Sequence, residues 1–62
     1  MSSVEKLLNV YEVAGVLNVA VQTVYGFVTR REIPFIKIGH SLRFDREDLK
    51  AWIVRKKYNG KI

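Results

Sequence analysis

The sequence predicts a small α+β domain whose elements follow the order helix, helix, strand, strand, helix. Apolar residues recur at helical spacing in two stretches before Pro34 and in one after Asp45, with an alternating β-branched run between them. A chain of 62 residues is too short for two ordinary domains. We therefore expect one folded unit at residues 7–58, with disordered tails at residues 1–6 and 59–62.

The first helix is predicted at Val10–Leu17, where apolar residues lie three and four positions apart. Asn9 directly precedes this stretch, and Glu12 lies three residues after Asn9. This spacing is typical of a capping box, in which each side chain accepts the backbone N–H of the other residue. Asn18 suits a left-handed turn, which ends the helix.

The second helix is predicted at Val21–Arg31, from the apolar stripe formed by Val24, Phe27 and Val28. Only residues 18–20 separate it from the first helix. Two short helices joined by so few residues form a helix-turn-helix pattern.

A β-hairpin is predicted after Pro34, which ends the helical pattern. Its strands are expected at Phe35–Ile38 and Leu42–Phe44, joined by a three-residue tip at Gly39–Ser41. Alternation predicts one cationic face with Lys37 and Arg43, on which Phe35 is the one aromatic residue expected to be exposed. The opposite, apolar face is expected to carry Ile36, Ile38, Leu42 and Phe44.

The third helix is predicted at Arg46–Tyr58, with Asp45 as its N-cap and Asp48 at its third position. Asn59–Gly60 is expected to end it. Its apolar stripe is Leu49, Trp52 and Ile53, and three aromatic residues are expected in the core: Phe27, Phe44 and Trp52.

The charge is concentrated in the second half of the chain. The formal net charge is +5, made up of −1 for residues 1–29 and +6 for residues 30–62, where ten basic residues stand against four acidic ones. One-sided positive charge favours a polyanionic partner, because basic groups near phosphates release condensed counterions. A basic surface that serves only solubility is the alternative.

Composition also excludes several classes of site. Cysteine is absent and His40 is the only histidine, so thiolate metal sites, disulfides and Cys nucleophiles are excluded. No stretch resembles a signal peptide or a membrane span. We therefore expect no enzyme, no metal or other cofactor, no small-molecule substrate and no membrane partner, in a reducing cytosol.

The second helix has the dimensions and residues to read a DNA major groove. It is about 10–12 Å across, and the groove is about 12 Å wide. Gln22 can bond adenine in two places, Val21 can touch a thymine methyl group, and Gly26 permits close approach. Gln22 is also a common residue of an exposed helix, Tyr25 can equally pack on the core, and Gly26 costs about 1 kcal/mol of helix propensity. The candidate DNA-binding residues here are Val21, Gln22, Thr23, Tyr25, Gly26, Thr29 and Arg30.

The hairpin is expected to act as a wing against the adjacent backbone and minor groove. Lys37 and Arg43 supply its charge, and His40 and Ser41 at the tip complete the candidate set. The basic run Arg55–Lys57 is either a solvated helix end or a further phosphate contact.

Five segments carry a family resemblance: Leu8–Ala14, Val24–Tyr25, Ile33–Pro34, Ile36–His40 and Arg43–Ile53. In residues and spacing they resemble the excisionase-type DNA-binding domain, a compact winged-helix relative of the MerR regulators. The resemblance covers about residues 7–53. It implies a winged helix-turn-helix that binds DNA through its second helix and its wing.

The chain departs from this family at the second helix. Ala20 stands where members often carry a capping Ser, and Val21 and Gly26 stand where they often carry basic residues. We therefore expect binding to depend more on the wing.

The combined interpretation is a sequence-specific double-stranded DNA-binding protein of excisionase type. It would act as a recombination directionality factor of a phage or integrative element, in the bacterial or phage-infected cytoplasm. The expected partners are DNA and an integrase or recombinase, or further copies of the chain on repeated sites. A transcription regulator using the same surface is one alternative, and a protein-interaction adaptor built on a winged helix is another.

Overall fold

The computed structural model describes residues 6–58. The elements are α1 (Val10–Leu17), α2 (Val21–Thr29), β1 (Ile36–Ile38), β2 (Ser41–Arg43) and α3 (Arg46–Arg55). This order confirms the predicted winged helix-turn-helix. The tails predicted at the two ends, apart from Lys6, and the predicted stop at Asn59–Gly60 lie outside the described residues.

Helix α1 has the predicted bounds because both of its ends are set by local signals. Asn9 Oδ1 accepts the Glu12 backbone N–H at 2.8 Å, and Glu12 Oε1 accepts the Asn9 N–H at 2.9 Å. Asn18 ends the helix in the left-handed conformation, with φ at 59°. The predicted capping box and turn are both confirmed.

Helix α2 ends at Thr29, two residues before the predicted end. Arg31 has φ at 58°, so it cannot continue a right-handed helix. Its N–H donates to the Val28 carbonyl at 3.0 Å, and the Glu32 N–H donates to the Phe27 carbonyl at 2.8 Å. This bonding is a Schellman motif, which closes a helix through one left-handed residue.

The hairpin has a shorter turn than predicted. Ile38 pairs with Ser41, so Gly39 and His40 alone form the turn. Gly39 has φ at 61°, which a type II′ turn requires at its first position. A turn shorter by one residue moves the register by one, and such a shift exchanges the faces of a strand.

The predicted division of the hairpin into a cationic and an apolar face is therefore wrong. Ile36 pairs with Arg43 and Lys37 with Leu42, and residues that pair directly share a face. Lys37 and Arg43 consequently lie on opposite faces. The inner face carries Lys37 and Leu42, continued by Phe35 and Phe44. The outer face carries Ile36, Ile38, Ser41 and Arg43.

The burial of Phe44 and the exposure of Ile38 agree with this register. Phe44 is fully buried, whereas Ile38 on the outer face is 54% exposed. Phe35, predicted to be exposed, is partly buried against the core. The buried residues of the described chain are Leu8, Val10, Val13, Ala14, Val24, Ile33, Phe44, Leu49 and Trp52.

Helix α3 begins as predicted and ends three residues early. Asp45 Oδ1 accepts the Glu47 N–H at 2.8 Å and caps the first turn. Lys56, Lys57 and Tyr58 are exposed, so no apolar packing supports a further turn. None of the helices in residues 6–58 has the length and apolar character to cross a membrane.

The indole of Trp52 joins α3 to the segment after α2. Its Nε1–H donates to the Glu32 carbonyl at 2.6 Å. The Phe27 ring meets the indole edge-on, with 5.4 Å between ring centroids. Phe44 and Trp52 are buried as predicted, and Phe27 is partly buried against the same core.

Candidate nucleic-acid interface

An open groove of about 880 Å³ lies between the wing, the start of α1 and the second half of α2. We call it the wing groove. The candidate residues that line it are Tyr25, Thr29, Lys37, His40, Ser41 and Arg43. Fold and turn geometry thus bring six of the eleven candidates to one concave surface.

Lys37 and Arg43 both line the wing groove although they lie on opposite faces of the hairpin. Lys37 is exposed, and Arg43 is half-buried. Arg43 Nη1 donates to the Leu42 carbonyl at 2.8 Å, which holds the guanidinium near its own strand. Two cationic groups therefore border the same groove, although they do not share a face of the hairpin as alternation predicted.

Two of the groove residues that carry hydroxyl groups lie on α2, Tyr25 and Thr29. Tyr25 is 46% exposed on α2. The Thr29 hydroxyl donates to the Tyr25 carbonyl at 2.9 Å, within the helix. A phosphate oxygen only accepts hydrogen bonds, so a phosphate contact by Thr29 requires its hydroxyl to rotate away from that carbonyl.

The remaining α2 candidates lie outside the wing groove. Gln22 and Thr23 are exposed, and Gly26 is half-buried. Gln22, Gly26 and Thr29 are spaced four and three residues apart, so they form one stripe along the helix. Because Thr29 also lines the groove, this outer stripe adjoins it. Val21 is partly buried and packs against the core.

Arg30 is held outside the groove by its neighbours. Its Nε donates to Glu32 Oε2 at 3.0 Å and its Nη2 to Oε1 at 3.4 Å. The guanidinium carbon lies 5.8 Å from the centre of the Phe27 ring. The hydrogen bond from Arg30 lowers the pKa of the Glu32 carboxyl, against a smaller opposing effect of desolvation, and the charges of Arg30 and Lys56 lower it further.

Gly26 lies beside the guanidinium of Arg30. A Cβ atom at Gly26 would lie 3.2 Å from Arg30 Nη1. A methyl group at this position would require the flexible guanidinium to shift by a few tenths of an ångström. Close approach of DNA at this residue stays a prediction.

Among the groove residues outside the candidate set, two are exposed, Tyr11 and Arg31. Tyr11, at the start of α1, is 69% exposed, and Arg31 follows α2. A signal existed for Tyr11, because it lies off the apolar stripe of α1. No such signal existed for Arg31, because the apolar periodicity placed it at the end of the predicted second helix.

The basic run Arg55–Lys57 lies outside the wing groove, and Lys56 Nζ is 5.4 Å from the centre of the Trp52 ring. Lys56 thus covers part of the core from outside. In the part of the chain that the structure describes, no cluster of three or more His, Asp or Glu residues is arranged to hold a metal ion.

Comparison with known families agrees with the geometry. A family model described as a helix-turn-helix domain matches residues 7–57, which include all three helices and the wing. Neither a curated protein nor a solved structure matched the chain. Because the family match covers most of the sequence, the chain belongs to the helix-turn-helix family of DNA-binding domains.

Proposed function

We propose that this protein is a sequence-specific double-stranded DNA-binding protein, with α2 in the major groove and the wing on the adjacent backbone and minor groove. One observation carries the proposal. The exposed stripe of α2 adjoins a groove bordered by Lys37 and Arg43, so a base-reading surface lies beside a phosphate-binding one. The folded unit that provides it is residues 7–58.

The charges of the groove are available to an external anion. Within residues 6–58, the one ion pair joins Arg30 to Glu32. Lys37 and Arg43 therefore have no carboxylate partner in the described chain. If about five phosphates are neutralised, log K falls with log salt at a slope of about −4.5.

Gln22 is the residue best suited to read a base. It is exposed on α2, and within the described residues its amide makes no hydrogen bond. An amide can donate to and accept from the major-groove edge of adenine at once. Thr23 and Gly26 lie beside it on the exposed side. Val21, being partly buried, offers less surface to a thymine methyl group than the sequence predicted.

The biological role that we propose is that of an excisionase-type recombination directionality factor of a phage or integrative element, in the bacterial or phage-infected cytoplasm. A single module of this size buries only about 600–1,000 Å² on DNA. Strong binding therefore requires repeated sites filled by several copies, or an integrase or recombinase bound beside it. A transcription regulator would use the same contacts.

Selection of bound duplexes from random DNA tests the proposal. We expect one enriched motif, with a repeat spacing that reports the stoichiometry, and binding that weakens steeply with salt in a mobility-shift titration. No enrichment together with a flat salt response would contradict DNA recognition. Isolation of one tight protein partner, without DNA affinity above background, would instead support an adaptor. Stimulation of integrase-driven excision, rather than of a promoter, would support the recombination role.

A further inference from the structure

We infer that Arg31 is a phosphate-binding residue of the wing groove, and that the protein loses stability by having arginine at this backbone position. The inference rests on the proposed DNA-binding function. It adds Arg31, which was not among the candidates predicted from the sequence, to the proposed DNA contacts.

The backbone of Arg31 is unusual for its residue type. Asn18 and Arg31 are the two non-glycine residues with positive φ in the described chain. Asn tolerates the left-handed region because its short polar side chain bonds locally, whereas a long side chain gains no such compensation. Arg31 also occupies the position of the Schellman motif that is usually glycine.

Glycine would make the same backbone hydrogen bonds without the steric cost. Both bonds of the motif use only main-chain atoms: Arg31 N–H to Val28 O, and Glu32 N–H to Phe27 O. Nothing in the closure of α2 therefore requires an arginine side chain. A domain of this length has a small stability margin, so an unneeded strained residue calls for a function.

The side chain of Arg31 is placed to supply that function. It is exposed and lines the wing groove together with Lys37 and Arg43. Its neighbour Arg30 lies outside the groove and is paired with Glu32. Within residues 6–58, Arg31 has no such ion pair. The left-handed turn thus separates two consecutive arginines, one bound internally and one facing the groove.

A planar guanidinium beside two other cations is well suited to bind a phosphate group. Its N–H donors match two phosphate oxygens at once. The groove adjoins the exposed stripe of α2, so a helix seated in the major groove brings the flanking phosphates toward it. This contact is independent of base sequence.

Two substitutions separate the charge of Arg31 from its backbone conformation. Arg31→Gly removes the charge and the strain, while Arg31→Ala removes the charge and keeps the strain. Lys50→Ala is the matched control, since Lys50 is an exposed cation of α3 outside the wing groove. All four proteins are compared by thermal melting and by mobility shift on the selected duplex over a range of salt concentrations.

We expect both Arg31 variants to bind DNA about five- to tenfold more weakly at about 0.1 M salt, with the salt slope reduced by about 0.9. Arg31→Gly should melt about 4–8 °C above Arg31→Ala. Lys50→Ala should retain the parent slope within error. Because Arg31→Gly relieves strain, it keeps the test valid even if Arg31→Ala fails to fold.

Each of the following results would contradict at least one part of the proposal. If the parent binds DNA but the Arg31 variants behave like Lys50→Ala, the phosphate contact is wrong and the proposed function is unaffected. If Arg31→Gly does not melt above Arg31→Ala, the claim of stability lost at this position is wrong. If the parent does not bind DNA at any salt concentration, the proposed function and this inference both fail.

Discussion

Leu8 and Phe44 exchange two backbone hydrogen bonds of 2.8 Å each. The segment before α1 is thereby paired with the end of the wing, directly after β2. The Phe44 side chain, fully buried, packs in the core below this pair. The wing is therefore fixed to the helical part of the domain by main-chain bonds and by a core aromatic residue.

The register of the hairpin predicts that substitution by alanine destabilises the protein much more at Phe44 than at Ile38. Phe44→Ala should lower the free energy of unfolding by about 3–5 kcal/mol, because it leaves a cavity in the core. Ile38→Ala, on the exposed outer face, should lower it by less than about 1 kcal/mol. Chemical denaturation measures both. Similar losses for the two variants would mean that Ile38 and Phe44 share the buried face, as the sequence alone had predicted.

The hydrogen bond from Trp52 to the Glu32 carbonyl should contribute to stability. Trp52→Phe keeps an aromatic ring but removes the indole donor, which leaves the carbonyl without this partner. We expect a loss of about 1–3 kcal/mol in urea denaturation. Tyr58→Phe, at a residue that is 73% exposed, is the control and should change stability by less than about 0.5 kcal/mol. An unchanged midpoint for Trp52→Phe would show that the bond has no net effect.

The Arg30–Glu32 pair predicts that the stability of the fold depends on pH only in the acidic range. The pKa of the Glu32 carboxyl is lowered in the folded state, chiefly by the hydrogen bond from Arg30. The stability from this pair is therefore fully present above about pH 4.3, the ordinary Glu value, and is lost as the pH falls through the lower folded-state pKa. Both residues are exposed, so the effect is small.

Melting of the parent and of Glu32→Gln at about pH 7 and about pH 2.5 measures this dependence. We expect the parent to melt higher than the variant at neutral pH and the difference to shrink in acid. A difference that stays the same at both pH values would assign it to packing rather than to the carboxylate charge.

Gly26 allows stability and DNA approach to be measured separately. Gly26→Ala should raise helix stability by up to about 1 kcal/mol, because the new Cβ meets only the flexible end of Arg30. If DNA approaches this part of α2 closely, the same variant should bind DNA more weakly. Thermal melting and mobility shift are measured on one preparation. A more stable variant with parental affinity would show that DNA does not approach Gly26 closely.

The fold was predictable where local signals determine it. Asn9, Glu12 and Asn18 set the ends of α1 through side chains that bond their own backbone, so the sequence alone placed this helix correctly. The predicted faces of the wing were wrong because its turn is one residue shorter than expected. Gly39-His40-Ser41 allows a turn of two or three residues, and that choice reverses the faces of the hairpin.

The candidate site was predictable in part for a similar reason. Exposed polar residues on α2 and cations on the wing are visible as residue types in the sequence. Their assembly into one groove depends on tertiary packing. Arg31 shows the limit most clearly, because neither Gly nor Asn marks its left-handed turn and the pattern of α2 continues through it.

Binding of Gln22→Ala and Arg43→Ala to the selected duplex and to unrelated DNA tests the central proposal most directly. We expect Gln22→Ala to lose about 1–3 kcal/mol on the selected duplex only, and Arg43→Ala to weaken binding on every duplex. That pattern would place base reading on α2 and phosphate binding on the wing. Equal losses on all DNA for the Gln22 variant, or unchanged binding for the Arg43 variant, would contradict it.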